Sequence, residues 1–185
     1  MKYILFLLLV SFSKIVSAQE ISGSEQFWAK LKSHCGKAYE GELINGGNDD
    51  FAGKKLVMHV RTCEDDTVRI PFFVGEDKSR TWVLTMHDGR IQLKHDHRHE
   101  DGSEDDVTQY GGMSTNVGLA DIQFFPADQE TANLISYAST NVWWITLDET
   151  SFTYNLRRMG SDRLFTAKFD LSKEVNTPSA PWGSE

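Results

Sequence analysis

The pair Asp88-Gly89 constrains this chain more than any other two residues. An Asp-Gly pair tolerates the positive φ values of a two-residue hairpin loop, and that loop fixes which residues of its flanking strands face each other. Segments 80–87 and 90–99 then pair so that Met86 faces Ile91, Leu84 faces Leu93, Trp82 faces His95 and Arg80 faces His97. All eight fall on one face, with Thr85/Gln92, Val83/Lys94 and Thr81/Asp96 on the other. One register satisfies both apolar halves, as a half-buried antiparallel pair requires.

The same period of two recurs along the chain. Tyr39, Gly41 and Leu43 alternate with Glu40 and Glu42. Leu56, Met58 and Val60, then Val68, Ile70, Phe72 and Val74, give two more sets around the polar turn Glu64-Asp65-Asp66. Pro71 lacks a ladder donor and predicts an edge or a bulge there. Trp143, Ile145 and Leu147, then Phe152, Tyr154 and Leu156, then Phe165, Ala167 and Phe169 repeat the pattern. Two helical exceptions are expected. Phe27, Trp28 and Leu31 sit at helical spacing within 24–34, with Ser24 as the cap, and Asp128 caps a short helix through Leu134. A further strand is expected over 119–125, and Gly46-Gly47 and Gly111-Gly112 read as turn-forming pairs.

Short strands joined mostly by hairpins predict an all-β fold: an antiparallel meander closing into a barrel of about 8–10 strands. A sandwich is the competing architecture, and sequential hairpins favour the barrel. Following strand directions from residue 37 puts the ends of two neighbouring strands, with Cys35 and Cys63, at one end. A disulfide between them is sterically reasonable there. The helix lies at this same end and can plug it. The loop 45–53, residues 75–79 and the polar stretch 100–106 lie at the other, open end.

Residues 1–18 combine Lys2, the apolar run 3–10 and the small residues before Ala18, the anatomy of a secretory signal too short to span a bilayer. Residues 19–175 form the expected barrel domain, and 176–185, with Pro178 and Pro181, a flexible tail. Without Lys2 and Lys14, 17 basic side chains face 27 acidic ones, a net charge of −10. That balance argues against nucleic acid as a partner, since phosphate binding draws on clustered cations. The expected product is secreted or periplasmic, without a transmembrane segment once the signal is cleaved, and its two cysteines form a disulfide in an oxidising compartment.

His95-Asp96-His97-Arg98-His99 is the most unusual stretch. Imidazoles at alternate strand positions stand on one side, about 6.5–7 Å apart. His95 and His97 continue the inward face, with His99 at or beyond the rim. The three offer a candidate metal or haem site, and otherwise a hydrated polar collar above an apolar interior. Arg80 belongs to that collar, and Arg158 and Arg163 share the inward parity of Leu156 and Phe165 at the same open end. Inward cations converging on one mouth of an acidic protein point to an anionic ligand. Its acid group would be held by guanidinium forks and its tail would lie among Trp82, Leu84, Leu93, Trp143, Phe152 and Tyr154. Pairing of these arginines with loop acids such as Asp101, Glu104 and Asp105 is the competing use. Ordinary imidazoles at the mouth would make ligand affinity change between about pH 5 and 8.

An N-terminal helix at the closed end, a long first loop over the mouth and a meandering barrel resemble the calycin superfamily, lipocalins in particular. The family's opening signature is Gly, any residue, then Trp; here Gly36 is followed by Tyr39, one position later. Arg157, Arg158 and Arg163 match by sequence position the family's closing Arg, at the opposite end from the one the family uses. The resemblance implies a carrier of small apolar ligands rather than an enzyme, and no nucleophile elbow argues otherwise. An amphipathic anionic ligand in the barrel is thus the leading expectation. A metal- or haem-binding, even enzymatic, barrel and an interaction module with a filled core are the alternatives. The cofactor, if any, is not legible.

Overall fold

The computed structural model describes residues 20–47 and 50–184, so the expected signal segment 1–18 lies outside the described residues. Helix α1 (Gly23–Lys32) opens with a capping box on Ser22 rather than on Ser24: the Ser22 hydroxyl accepts from the Glu25 amide, and the Glu25 carboxylate accepts from the Ser22 amide. Ser24, one residue inside, is buried and donates its hydroxyl to the Gly89 carbonyl at 2.6 Å, fastening the helix to the Asp88-Gly89 hairpin. Phe27, Trp28 and Leu31 are buried on the barrel floor. The helix stops at Lys32, two residues short of the expected end, and Lys32 donates to the Glu64 carbonyl.

Eleven strands follow: β1 (Ala38–Asn45), β2 (Leu56–His59), β3 (Thr62–Cys63), β4 (Thr67–Val74), β5 (Asp77–His87), β6 (Arg90–His97), β7 (Tyr110–Met113), β8 (Ile122–Pro126), β9 (Asn141–Leu147), β10 (Ser151–Arg158) and β11 (Leu164–Val175). A short helix α2 (Gln129–Leu134) and a 3-10 turn (Ser136–Ala138) lie between β8 and β9. All pairings are antiparallel, in the order β7-β6-β5-β4-β2-β1-β11-β10-β9-β8, with β3 continuing the line of β2 along β4. The sheet therefore closes nearly all the way round on itself as a ten-stave barrel. No helix among the described residues is long and apolar enough to cross a membrane.

The expected register holds throughout the central hairpin, with Asp88 at φ 46° and Gly89 at φ 76°. Pro71 lies on an interior strand, not an edge. Met58 pairs with Phe72 but Thr62 with Arg69, so β2–β3 carries one more residue than the stretch of β4 it faces, and this bulge falls where Pro71 has no N–H to offer. The strand expected over 119–125 begins only at Ile122, and Asp128 caps α2 as expected. Below mid-barrel the core is solid: Leu84, Ile91, Leu93, Ile145, Phe152 and Phe169 are fully buried. Gly41 belongs to this packing, since a Cβ there would stand 2.5 Å from the Phe169 ring. Cys35 and Cys63 are bonded at the closed end, their Cα atoms 6.2 Å apart.

The gap between β7 and β8 is bridged by a few isolated bonds at Gly111 instead of a ladder. Gly111-Gly112 is part of β7, not a turn. A Cβ on Gly112 would sit 1.8 Å from the Pro126 carbonyl oxygen, so glycine lets the two edges approach. The buried Thr131 hydroxyl of α2 then serves Gly111 twice, accepting from its amide at 2.7 Å and donating to its carbonyl at 2.8 Å. That carbonyl also accepts from the Asp128 amide, so Thr131→Val strands chiefly the Gly111 N–H. The expected cost is about 1–3 kcal/mol, the usual penalty for an orphaned buried donor. Urea denaturation measures it, and faster exchange of the Gly111 amide would localise it.

Candidate functional site

Above the solid half, the barrel holds a cavity of about 240 Å³. Its wall begins with β5, whose alternation turns Arg80 and Trp82 inward, and with β6, which brings His95 and His97 opposite them. Tyr110 of β7, Trp143 of β9 and Tyr154 of β10 complete the deeper wall. Arg158, at the end of β10, and Arg163, just before β11, stand at the mouth beside Asn141 and Phe165. Ile135, Tyr137 and Ala138 from the α2–β9 connection, Val107, and Phe51 from the first loop close over the rim. The six residues expected from sequence to contact a ligand, Arg80, Trp82, His95, His97, Arg158 and Arg163, thus line one cavity. Leu84, Leu93 and Phe152, expected beside the ligand tail, are instead core packing, each fully buried.

The histidines are built into the wall. His95 is 3% exposed. Its Nδ1 lies 2.9 Å from the Tyr110 carbonyl, which can only accept, so Nδ1 carries the proton. Nε2 is then the acceptor for the Tyr154 hydroxyl at 2.7 Å. Burial pushes the His95 pKa down to about 3, so the ring is neutral. Burial likewise lifts Tyr154 well above the ordinary phenol range and Tyr110 to about 12. His97 meets the Tyr110 hydroxyl at 3.1 Å, and burial followed by the nearby Arg80 charge lowers its pKa too. The imidazole titration expected between about pH 5 and 8 is therefore displaced downward.

Both His95 nitrogens are engaged by protein, His99 is exposed and outside the cavity lining, and no group of three or more His, Cys, Asp or Glu side chains gathers to hold a metal among the described residues. The imidazoles supply neutral hydrogen bonding and stacking. His95 stacks on Tyr110 at 4.5 Å with 12° between planes, and Trp82 on Tyr154 at 4.4 Å with 21°.

The three mouth arginines differ. Arg80 pairs with Asp77 and lies over the Phe51 ring. Of the loop acids proposed as partners, Glu104 takes Arg98 instead, together with Asp96. Arg158 donates from Nε to the neutral Asn141 amide oxygen at 3.0 Å and places its guanidinium 4.8 Å from the Tyr137 ring centroid. Neither Arg158 nor Arg163 has a carboxylate partner among the described residues. The Arg158 charge is held in position by Asn141 and Tyr137, with no compensating carboxylate among the described residues.

Tyr110, Asn141, Tyr137 and Phe51 were not foreseen. β7 has only four residues, too few for a periodic signal, and the other three act from strand ends or loops, where side-chain direction follows chain path rather than alternation. No family model, no curated protein and no solved structure matches this chain. What the fold and site define is an all-antiparallel, nearly closed β-barrel with an aromatic cavity and a cationic mouth.

Proposed function

We propose that this is an exported, calycin-like carrier that binds a small amphipathic anion inside its barrel. The observation that carries this reading is the pair Arg158 and Arg163, without carboxylate partners among the described residues, at the mouth of an apolar cavity in a chain whose formal charge is −8. A guanidinium fork held at a cavity mouth without a described carboxylate is available to the acid group of a ligand that enters it. Asn141 and Tyr137 orient the Arg158 fork without neutralising it, the arrangement a preorganised carboxylate site calls for. The Cys35–Cys63 bond is compatible with an oxidising compartment, in keeping with the signal-like residues 1–18.

Native mass spectrometry of the protein with a panel of small carboxylates and their matched primary amides tests the reading. Carboxylates are expected to be retained one to one and the amides lost. Arg158→Met, verified as folded by circular dichroism, is expected to weaken carboxylate binding about 10- to 100-fold, the worth of a charge-assisted hydrogen bond of about 1.5–3 kcal/mol. Equal retention of acids and amides, or no change in Arg158→Met, would remove the anion from the proposal.

A further inference from the structure

We infer that the ligand class is a flat aromatic carboxylate of one or two rings, and that long-chain fatty acids are excluded. This inference rests on the anion-carrier reading above and adds the shape of the apolar part.

Volume is the first ground. The cavity holds about 240 Å³, and a cavity of about 150 Å³ already accommodates benzene. A second fused ring uses most of the remainder and leaves the carboxylate in the mouth. A sixteen-carbon chain is far longer than a two-ring system, and its length beyond the mouth would have to be taken up by the floor of the cavity.

The floor gives the second ground, because the cavity has nowhere to lengthen. Trp82 stacks on Phe72 at 4.8 Å and lies 6.0 Å from Phe152, which meets Phe169 at 6.1 Å. These rings form a continuous aromatic layer over the fully buried Leu84, Leu93 and Ile145. An extended chain would have to displace a packed core, at a cost that overpacked interiors do not absorb.

The third ground is the character of the walls. The deep lining is aromatic and neutral: Trp82, His95, Tyr110, Trp143 and Tyr154 present ring faces and edges, with His95 bonded to the Tyr154 hydroxyl and the Tyr110 carbonyl and the Tyr110 hydroxyl to His97. Ring surfaces prefer offset-stacked or edge-to-face ring partners. The aliphatic lining residues Val107, Ile135, Ala138 and Leu156 accompany the rim and the strand end. A charged group has no partner in the deep part. A ligand acid therefore faces outward to Arg158 and Arg163, and its rings go in first.

Isothermal titration with 2-naphthoate, 2-naphthamide and palmitate, alongside quenching of Trp82 and Trp143 fluorescence, decides the matter. The expected result is one-to-one binding of 2-naphthoate with quenching, at least tenfold weaker binding of the amide, and no competition by palmitate. Palmitate binding without naphthoate binding would overturn the ring inference while leaving the anion carrier standing. Equal binding of acid and amide would retain a ring slot and overturn the anion reading, and with it the acid half of this inference. Binding of none of the three would overturn both.

Discussion

Replacing both Cys35 and Cys63 by serine is expected to lower the unfolding free energy by about 3–4 kcal/mol. The bond spans 28 residues, and loop-closure entropy for a span of that length gives about 3.6 kcal/mol at 25 °C. For a domain of this size that corresponds to a fall in melting temperature of roughly 7–15 °C. The native structure gives the bond little competition: Cys35 follows α1 and Cys63 ends β3, and the adjacent Gly36 amide already donates to the Val60 carbonyl at 2.7 Å. The variant should thus fold to the same structure with a more disordered unfolded state. Calorimetry of the double variant, and of the native protein under reductant, measures the loss. A change below about 1 kcal/mol would mean that the unfolded chain is held compact by something other than the bond. The disulfide and the cavity lie at opposite ends of the barrel, so ligand affinity at 25 °C should not move.

The second large effect is acid lability centred on His95. Its folded pKa of about 3 lies below the ordinary 6.5, so between those values the unfolded chain binds a proton that the native state refuses. Stability is complete above pH 6.5, falls as the pH drops, and levels off only near pH 3. At 1.36 kcal/mol per pH unit the loss from this residue is about 2 kcal/mol at pH 5. His34, His59 and His97 are shifted the same way, in each case chiefly by burial, and add to the slope. The depressed carboxylates, Asp148 and Asp170 with pKa values of about 2, act in a separate window, losing their contribution as pH falls from about 4 through 2. Urea midpoints at pH 7.5 and 5.0 isolate the histidine window. His95→Gln, which keeps a hydrogen-bonding amide at the position, should flatten the dependence; native protein equally stable at both values would contradict a neutral, buried His95. Protonation would also remove the acceptor for the Tyr154 hydroxyl, so acid acts on the cavity wall itself.

These two effects also show what the sequence could and could not convey. The hairpin at 88–89 was legible because two adjacent residues determine a register, and the register places Arg80, Trp82, His95 and His97 by arithmetic alone. Parity did the same for Arg158 and Arg163. Burial of His95 was not legible: whether an inward imidazole meets water or a tyrosine depends on β7 and β10 lying on either side of it, and no local pattern encodes Tyr110 as that neighbour. Parity likewise could not tell Leu84 or Phe152, in the packed floor, from Trp82 one layer higher. The helix cap moved from Ser24 to Ser22 because both are serines two residues apart, and only the Glu25 side chain and the Gly89 carbonyl separate their roles.

The stitch between Gly111 and Thr131 has a mechanical consequence for whatever occupies the interior. The staves between β7 and β8 in the sheet order are tied along both margins by repeated backbone bonds, whereas the outer margin of β7 is moored at Gly111 alone, by the Thr131 hydroxyl and the Asp128 amide. Tyr110, which braces both His95 and His97, rides on that loosely moored stave. Outward pressure from any occupant would therefore be felt first by the part of the wall that yields most easily, and the interior can adapt at one plank while the rest of the hull stays rigid.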